Sequence, residues 1–212
     1  MIKILELFSG TGSVGKIAKE KGYQVVSLDF KNADINTDIM DWDYKSLPSD
    51  SFDIIWASPP CQTFSLLRRT HIGRKTKCFG DKIITAKMLD DDMINRGLPI
   101  LIRTLEIIEY FDPRYFFVEN PQTGRMKDFI QFPYYDVDYC RYADWGYRKR
   151  TRIWTNVIGF KNRLCKGDCN SIDASTRRHK SSLGRNHRTS LEDRYRIPPD
   201  LIRDLFEAQD WD

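Results

Sequence analysis

A glycine-rich turn set between an apolar strand and an amphipathic helix constrains this chain more than any other feature. Ile2 to Phe8 reads as a buried strand, Ser9 to Gly15 as the turn, and Val14, Ile17 and Ala18 as the inner face of a helix that stops near Gly22. Gln24 to Asp29 follows as a second strand. Gly10-Thr11-Gly12-Ser13-Val14-Gly15 fits G-x-G-x-x-G, with the Asp29 carboxylate about twenty residues further on. Glycines in such a turn let a ligand approach the backbone, and a carboxylate at the next strand end can accept both hydroxyls of a ribose. The pattern predicts a nucleoside cofactor and does not separate NAD from S-adenosylmethionine; the plainer alternative is a tight structural turn.

Strands and helices keep alternating downstream. Phe52 to Ala57 is an apolar run that must give way to a loop at Ser58-Pro59-Pro60, because proline cannot continue a central strand. Leu98, Leu101, Ile102, Leu105 and Ile108 recur at helical spacing until Asp112-Pro113 stops them, and Tyr115 to Glu119 is a fresh strand ended by Pro121. Tyr135 to Tyr142 and Arg150 to Val157 supply two later strand candidates, and Asp200 to Gln209 a terminal helix begun by Pro198-Pro199. Residues 66–95 and 161–196 read as irregular, polar and mobile. The alternation implies an α/β fold, an open and mostly parallel twisted sheet with helices on both faces. Ligands in such sheets bind beyond the carboxyl ends of the strands, so the informative positions are Phe8 to Gly15, Asp29, Ser58 to Ser65 and Glu119 to Pro121.

With 212 residues and 41% hydrophobic content, the chain suits one compact domain, 1–212. It has no run of about 18 apolar residues and no cleavable leader pattern, so a soluble, intracellular protein without a membrane partner is expected. Five cysteines, an odd number and widely spaced except for Cys165 and Cys169, do not describe a secreted disulfide framework. The net charge of +4 hides an asymmetry: residues 141–196 hold 15 Lys/Arg against 5 Asp/Glu, and the rest of the chain 19 against 25. A basic segment on an acidic body is the footprint of a phosphate-backbone partner, or else a solvated surface tail.

Ala57-Ser58-Pro59-Pro60-Cys61-Gln62-Thr63-Phe64-Ser65 places a thiol just past a strand end, in a loop whose two prolines restrict the backbone. A free cysteine is most often a small core hydrophobe. Here its neighbours are polar, and Arg68, Arg69, His71, Arg74, Lys75 and Lys77 follow with no acid until Asp81. Positive charge close by would favour thiolate, the attacking form.

At these residues the sequence resembles the cytosine C5 DNA methyltransferase family. Glu6-Leu7-Phe8-Ser9-Gly10-Thr11-Gly12 is similar to that family's cofactor motif, Pro60-Cys61-Gln62-Thr63-Phe64-Ser65 to its nucleophile motif and Val118-Glu119-Asn120 to its glutamate-asparagine motif. Arg148-Lys149-Arg150-Thr151-Arg152 falls on its Q-x-R-x-R motif, with arginine in place of glutamine. The resemblance implies a Rossmann-like domain, S-adenosyl-L-methionine as cofactor and methyl transfer to C5 of cytosine in DNA through a covalent cysteine adduct. It implies Cys61 as nucleophile, Glu119 as the group that hydrogen-bonds the base, and Arg150 and Arg152 on the cytosine O2 and nearby phosphates. The cofactor would meet Phe8, Ser9, Gly10, Thr11, Gly12, Asp29 and Pro60, with Asp38-Ile39 resembling the segment beside the adenine. Arg68, Arg69, Arg74, Lys75 and Arg148 are the candidate nucleic-acid contacts, and the basic run after Cys61 reads as a mobile loop closing on phosphates.

The chain also departs from the family. Only 58 residues follow Trp154, so 161–196 stands as a basic irregular segment where the family commonly carries a target-recognition domain. Short or relaxed specificity, or a specificity-conferring protein partner, is therefore expected. Pro121 stands where valine is usual, and Asn186 and Arg196-Ile197-Pro198-Pro199 only faintly resemble the family's last motif. Cys165 and Cys169, with His179 and His187 beyond, could suggest zinc, yet the spacing is loose and no second cysteine pair follows, so no metal is expected and two incidental thiols are the reading. Two other functions share these residues. One is an amino-group methyltransferase, which needs an aromatic residue where Cys61 stands; the other is an inactive module that only binds nucleic acid. Nothing in the residues tells DNA from RNA.

Overall fold

The computed structural model describes residues 1–181 and 190–209. Seven strands form one sheet: β1 (Lys3–Leu7), β2 (Gln24–Asp29), β3 (Ile35–Asn36), β4 (Ile54–Ala57), β5 (Tyr115–Pro121), β6 (Tyr134–Asp138) and β7 (Arg150–Thr155). Their order is β3-β2-β1-β4-β5-β7-β6, parallel except for β7, which runs antiparallel to both of its neighbours. The chain leaves β1 in one direction for β2 and β3 and returns on the other side for β4 and β5. That reversal opens a crevice beyond the ends of β1 and β4.

Period-two alternation sends successive side chains to opposite faces. Ile4, Ile54, Trp56 and Phe117 pack with Val14, Ile17 and Ala18 of α1 (Ser13–Glu20) and with Leu201, Ile202, Leu205 and Phe206 of the last helix. Leu5, Leu7, Ile55, Ala57 and Val118 pack on the other face against Leu101, Ile107, Ile108 and Phe111. These belong to a helical run longer than the apolar repeat predicts. It comprises α2 (Ala86–Asp92), a π-helical turn (Met93–Gly97) and α3 (Leu98–Phe111). Thr85 starts it by accepting the Met88 amide at 3.2 Å. So part of the stretch expected to be irregular, 66–95, is helical, because a polar helix capped by threonine needs no apolar repeat. The strand expected at Tyr135 to Tyr142 ends at Asp138, where a 3-10 turn (Tyr139–Arg141) takes over. Two short helices close the described chain, α4 (Leu191–Tyr195) and α5 (Pro199–Glu207). Among the described residues no helix is long and apolar enough to cross a membrane.

Glu6 fixes the first turn. It is buried within β1 and accepts the Val14 and Gly15 amides at 3.2 and 3.0 Å, taking two of the otherwise unpaired donors at the start of α1. A Cβ at Gly15 would stand 2.6 Å from the Glu6 carboxylate, so the third glycine of the motif is a packing requirement. Burial pushes the Glu6 carboxyl up to about 7 against the lowering effect of the two amides. A carboxyl raised on folding favours the folded state while protonated. Its contribution is full below the ordinary glutamate range and is lost as pH rises towards 7. The wild type should therefore lose up to about 3 kcal/mol more between pH 4.5 and pH 8 than Glu6→Gln does, read by urea denaturation of both proteins at each pH.

Candidate active site

The glycine turn is held open by backbone geometry and one carboxylate. Phe8, Gly10 and Gly12 all have positive φ, and Gly12 donates to the Ser9 carbonyl at 2.7 Å. Asp29, at the end of β2, accepts the Gly10 amide at 2.8 Å and the Phe30 amide at 2.7 Å. Each carboxylate oxygen keeps accepting capacity after that single bond, so Asp29 can still receive hydroxyl groups. Where a Gly12 side chain would stand there is open space within 4 Å. Phe30, next in the chain after Asp29, is 67% exposed. Ser9 is buried and Thr11 hydrogen-bonds Ser13 at 2.7 Å. Asp38 turns back to the Met40 amide at 2.9 Å, and Ile39 lies in the core beneath it. The Arg196-Ile197-Pro198-Pro199 segment reaches this turn too, because Ile197 donates its amide to Ser13 Oγ at 3.2 Å. Asn186 lies outside the described residues, as does His187.

Cys61 stands beyond β4 and Glu119 lies near the end of the neighbouring β5. Asn120 ties the end of β5 to the cysteine loop: its Nδ2 donates to the Pro59 carbonyl at 2.8 Å across buried space. The Phe64 amide donates to the Cys61 carbonyl and tightens the turn. Glu119 is buried and accepts the Tyr139 hydroxyl at 3.0 Å and Lys149 Nζ at 3.5 Å. Lys149 Nζ lies 4.7 Å from the centre of the Tyr139 ring and donates to the Arg194 carbonyl at 3.2 Å. Gln62 Nε2 donates to the Tyr195 hydroxyl at 3.0 Å, which brings α4 over the cysteine loop. Tyr139, Lys149, Arg194 and Tyr195 thus surround the pair, although no motif points to them as functional.

The electrostatics of Cys61 differ from the expectation. Burial raises the thiol above its ordinary value and the Glu119 charge raises it further, while Lys149 and Arg194 pull it down. The basic run after Cys61 does not supply the expected thiolate. Arg68 pairs with Asp92 at 2.6 Å and Arg69 with Asp90 at 3.0 Å. The two acids come from α2, some twenty residues on, and neutralise the arginines. Asp90 also holds Arg125 at 2.7 Å, tying the loop after β5 to the same helix. Arg74 and Lys75 are exposed on the turn closed by the Lys75–Ile83 bridge.

Arg150 and Arg152 are not brought to Cys61. On β7, Ile153 stands opposite Glu119 and Arg152 opposite Asn120, so the arginines leave from the other face of the sheet. Asp138 takes Arg150 in a two-pronged contact at 3.1 and 2.7 Å and also binds Arg148 at 2.9 Å. Asp136 takes Arg152 at 2.7 and 2.9 Å, and the guanidinium lies 3.5 Å from the Tyr134 ring centre. The cation that faces Glu119 is Lys149, between two of the expected arginines.

Residues 2–128 match the family model described as C-5 cytosine-specific DNA methylase. The chain belongs to the C-5 cytosine-specific DNA methylase family. It is 44% identical over 219 residues to a protein of Frog virus 3 (isolate Goorha) named "Probable DNA (cytosine-5)-methyltransferase", covering 97% of this chain and 99% of that one. A solved structure of a putative DNA modification methyltransferase encoded within an E. coli prophage is 13% identical, with a TM-score of 0.46 over 73% of this chain and 46% of that chain. A mutant of Spodoptera frugiperda DNMT2 is 19% identical with a TM-score of 0.46, over 77% of this chain and 53% of that chain. The chain therefore spans about half the length of those solved structures.

The opposing charges at Cys61 give a measurable signature. Glu119→Gln should lower the thiol's pKa and speed its alkylation by iodoacetamide, and Lys149→Met should slow it, each by about tenfold at pH 7. Peptide mass spectrometry resolves Cys61 from the other four cysteines.

Proposed function

We propose that the chain transfers a methyl group from S-adenosyl-L-methionine to C5 of cytosine in DNA, through a covalent adduct on Cys61. The observation that carries this reading is the buried Glu119 carboxylate near Cys61, with Asn120 tying the end of β5 to the cysteine loop. The glycine turn, Asp29 and the exposed Phe30 ring suit a nucleoside: hydroxyls for the carboxylate and a flat base for the ring. S-adenosyl-L-methionine, when bound, supplies the electrophilic methyl group that C5 acquires.

Cytosine C5 is a poor nucleophile until a group adds to C6. Cys61 Sγ forms that bond as its proton passes to Glu119, which delivers a proton to N3 and accepts a hydrogen bond from the exocyclic amine as the ring becomes an enamine. Tyr139 and Lys149 are positioning residues that keep the Glu119 carboxylate turned towards the base. After methylation, water takes the C5 proton, the C5–H electrons expel Cys61 Sγ from C6, and the N3 proton returns through Glu119 to restore the aromatic ring and the free thiol. A base inside a duplex must be flipped out to reach a thiol in such a loop. Among the basic residues expected on nucleic acid, Arg74 and Lys75 are exposed and, unlike the exposed Arg69 and Arg148, are not paired with a carboxylate among the described residues, and short or relaxed specificity fits a chain whose 161–196 segment is so brief.

DNA containing 5-fluorocytosine tests the covalent step, because fluorine at C5 blocks release of the cysteine. With cofactor present, the wild type should form a denaturation-resistant complex. Cys61→Ser should form none, and Glu119→Gln should form it about a hundredfold or more slowly. Failure of the wild type to trap on DNA while it methylates an RNA substrate would move the activity to RNA, and bisulfite mapping of treated DNA reads the specificity. In a salt titration of DNA binding, replacing Arg74 and Lys75 by alanine should reduce the log-log slope by about two, since each phosphate contact releases about one counterion. Arg68→Ala should leave that slope nearly unchanged, because Asp92 already neutralises the guanidinium.

A further inference from the structure

Cys140, Cys165, Cys169 and His179 bring one ligand atom each to a common point, all four atoms lying within 4.8 Å of one another. His179 Nε2 is 3.4 Å from Cys169 Sγ and 3.7 Å from Cys165 Sγ. A tetrahedral zinc ion with sulfur and nitrogen ligands at 2.0–2.3 Å requires ligand atoms about 3.5–3.8 Å apart, so the arrangement needs only slight contraction. The three thiols are buried and none is in a disulfide. Three sulfurs and one imidazole form a soft donor set that suits zinc over the hard cations.

The surrounding backbone is shaped for the same task. Cys165 and Cys169 fall within the usual spacing of a zinc-binding pair, and the Gly167 amide donates to Cys165 Sγ at 3.4 Å. A hairpin turn organised by Asp173, which accepts the Ser175 and Thr176 amides, returns the chain so that Ile172 bridges His179. Cys140 comes from the 3-10 turn directly after β6. No second cysteine pair follows Cys165 and Cys169 in the chain. The fold instead supplies one thiol from 25 residues upstream and an imidazole from 10 residues downstream. The apolar cluster around these groups consists of the three cysteines and a partly buried Ile172, too little to hold such a segment by burial alone.

The geometry points to a structural zinc ion bound by Cys140, Cys165 and Cys169 Sγ and His179 Nε2, stapling the irregular segment after β7 to the edge of the sheet. All four positions are filled by protein, as in zinc sites that hold structure and do no chemistry. The ion would also support the arginine clamp. Asp138, which grips Arg148 and Arg150, accepts the Cys165 amide at 2.8 Å, so the metal loop and the β6–β7 edge share one carboxylate. This inference is independent of the proposed activity.

Elemental analysis of the full chain, expressed with zinc and iron available and purified without chelator, should find about one zinc per chain. His179→Ala and Cys169→Ser should lose it, and Cys78→Ser, an exposed thiol outside the cluster, should keep it. Should the ligand variants fail to fold, mercurial titration of folded wild type must release one equivalent of zinc to a colorimetric chelator, and cobalt exchange must give a tetrahedral thiolate spectrum. Chelation should then open 161–181 to protease while the sheet persists. Zinc below about a tenth of an equivalent after reduction and zinc reconstitution would overturn the proposal. So would an iron chromophore, or a disulfide among the three cysteines under reducing purification.

Discussion

Everything at the site depends on register across the centre of the sheet. Leu28, Leu7, Ala57, Val118 and Trp154 form one row from β2 to β7, because each is paired directly with the next. All five face the α3 side and are almost fully buried, so a one-residue slip of any strand would send its side chain into the differently shaped core on the opposite face. The residues one step further along, Asp29, Phe8, Ser58 and Glu119, consequently stand abreast at the carboxyl edge. The ribose-type acceptor, the glycine turn, the proline-stiffened cysteine loop and the buried glutamate are brought together by packing in the row behind them.

That dependence explains what the sequence made legible. Apolar runs ended by glycine or proline marked β1, β4 and β5, and the run from Gln24 to Asp29 marked β2; the motif positions fell at their ends because local chemistry and fold agree there. The environment of Arg150 and Arg152 depends instead on which face β7 presents and on what β6 places opposite. Asp136 and Asp138 alternate in step with Arg152 and Arg150, yet only antiparallel pairing of the edge strands makes them partners. Asp90 and Asp92 are of the same kind. They lie on a helix without an apolar repeat, and nothing within the basic loop announces that they return to it. Cys140 was hidden for a related reason, and His179, visible beyond Cys165 and Cys169, carried little weight, since ligand spacing along the chain says little when a turn and a hairpin supply the approach.

Asp138 draws these long-range contacts together. Burial alone would push its carboxyl up, but the Arg150 and Arg148 guanidinium groups and the Cys165 amide outweigh that and hold it below the usual carboxylate range. A buried carboxylate with three such donors is costly to strip of any one of them, which makes the β6–β7 edge and the segment after it a single electrostatic unit. The basic residues there are thereby held in defined positions, in contrast with the exposed Arg74 and Lys75.

Cys61 and Glu119 present the opposite balance. Burial and the Glu119 charge disfavour thiolate, and Lys149, half-buried between Tyr139 and Glu119, compensates only in part, so the thiol stays above its ordinary value. On the proposed reaction this opposition is useful. Addition to C6 moves a proton off the thiol and places one at N3 of the base, leaving the net proton count of the site unchanged. A pocket that resists holding thiolate and carboxylate together therefore favours the bound state in which the sulfur has already bonded to carbon and the nitrogen has taken its hydrogen. Activation of the cysteine would then come from the substrate's ability to accept that proton through Glu119, and much less from the cations that follow Cys61 in the chain.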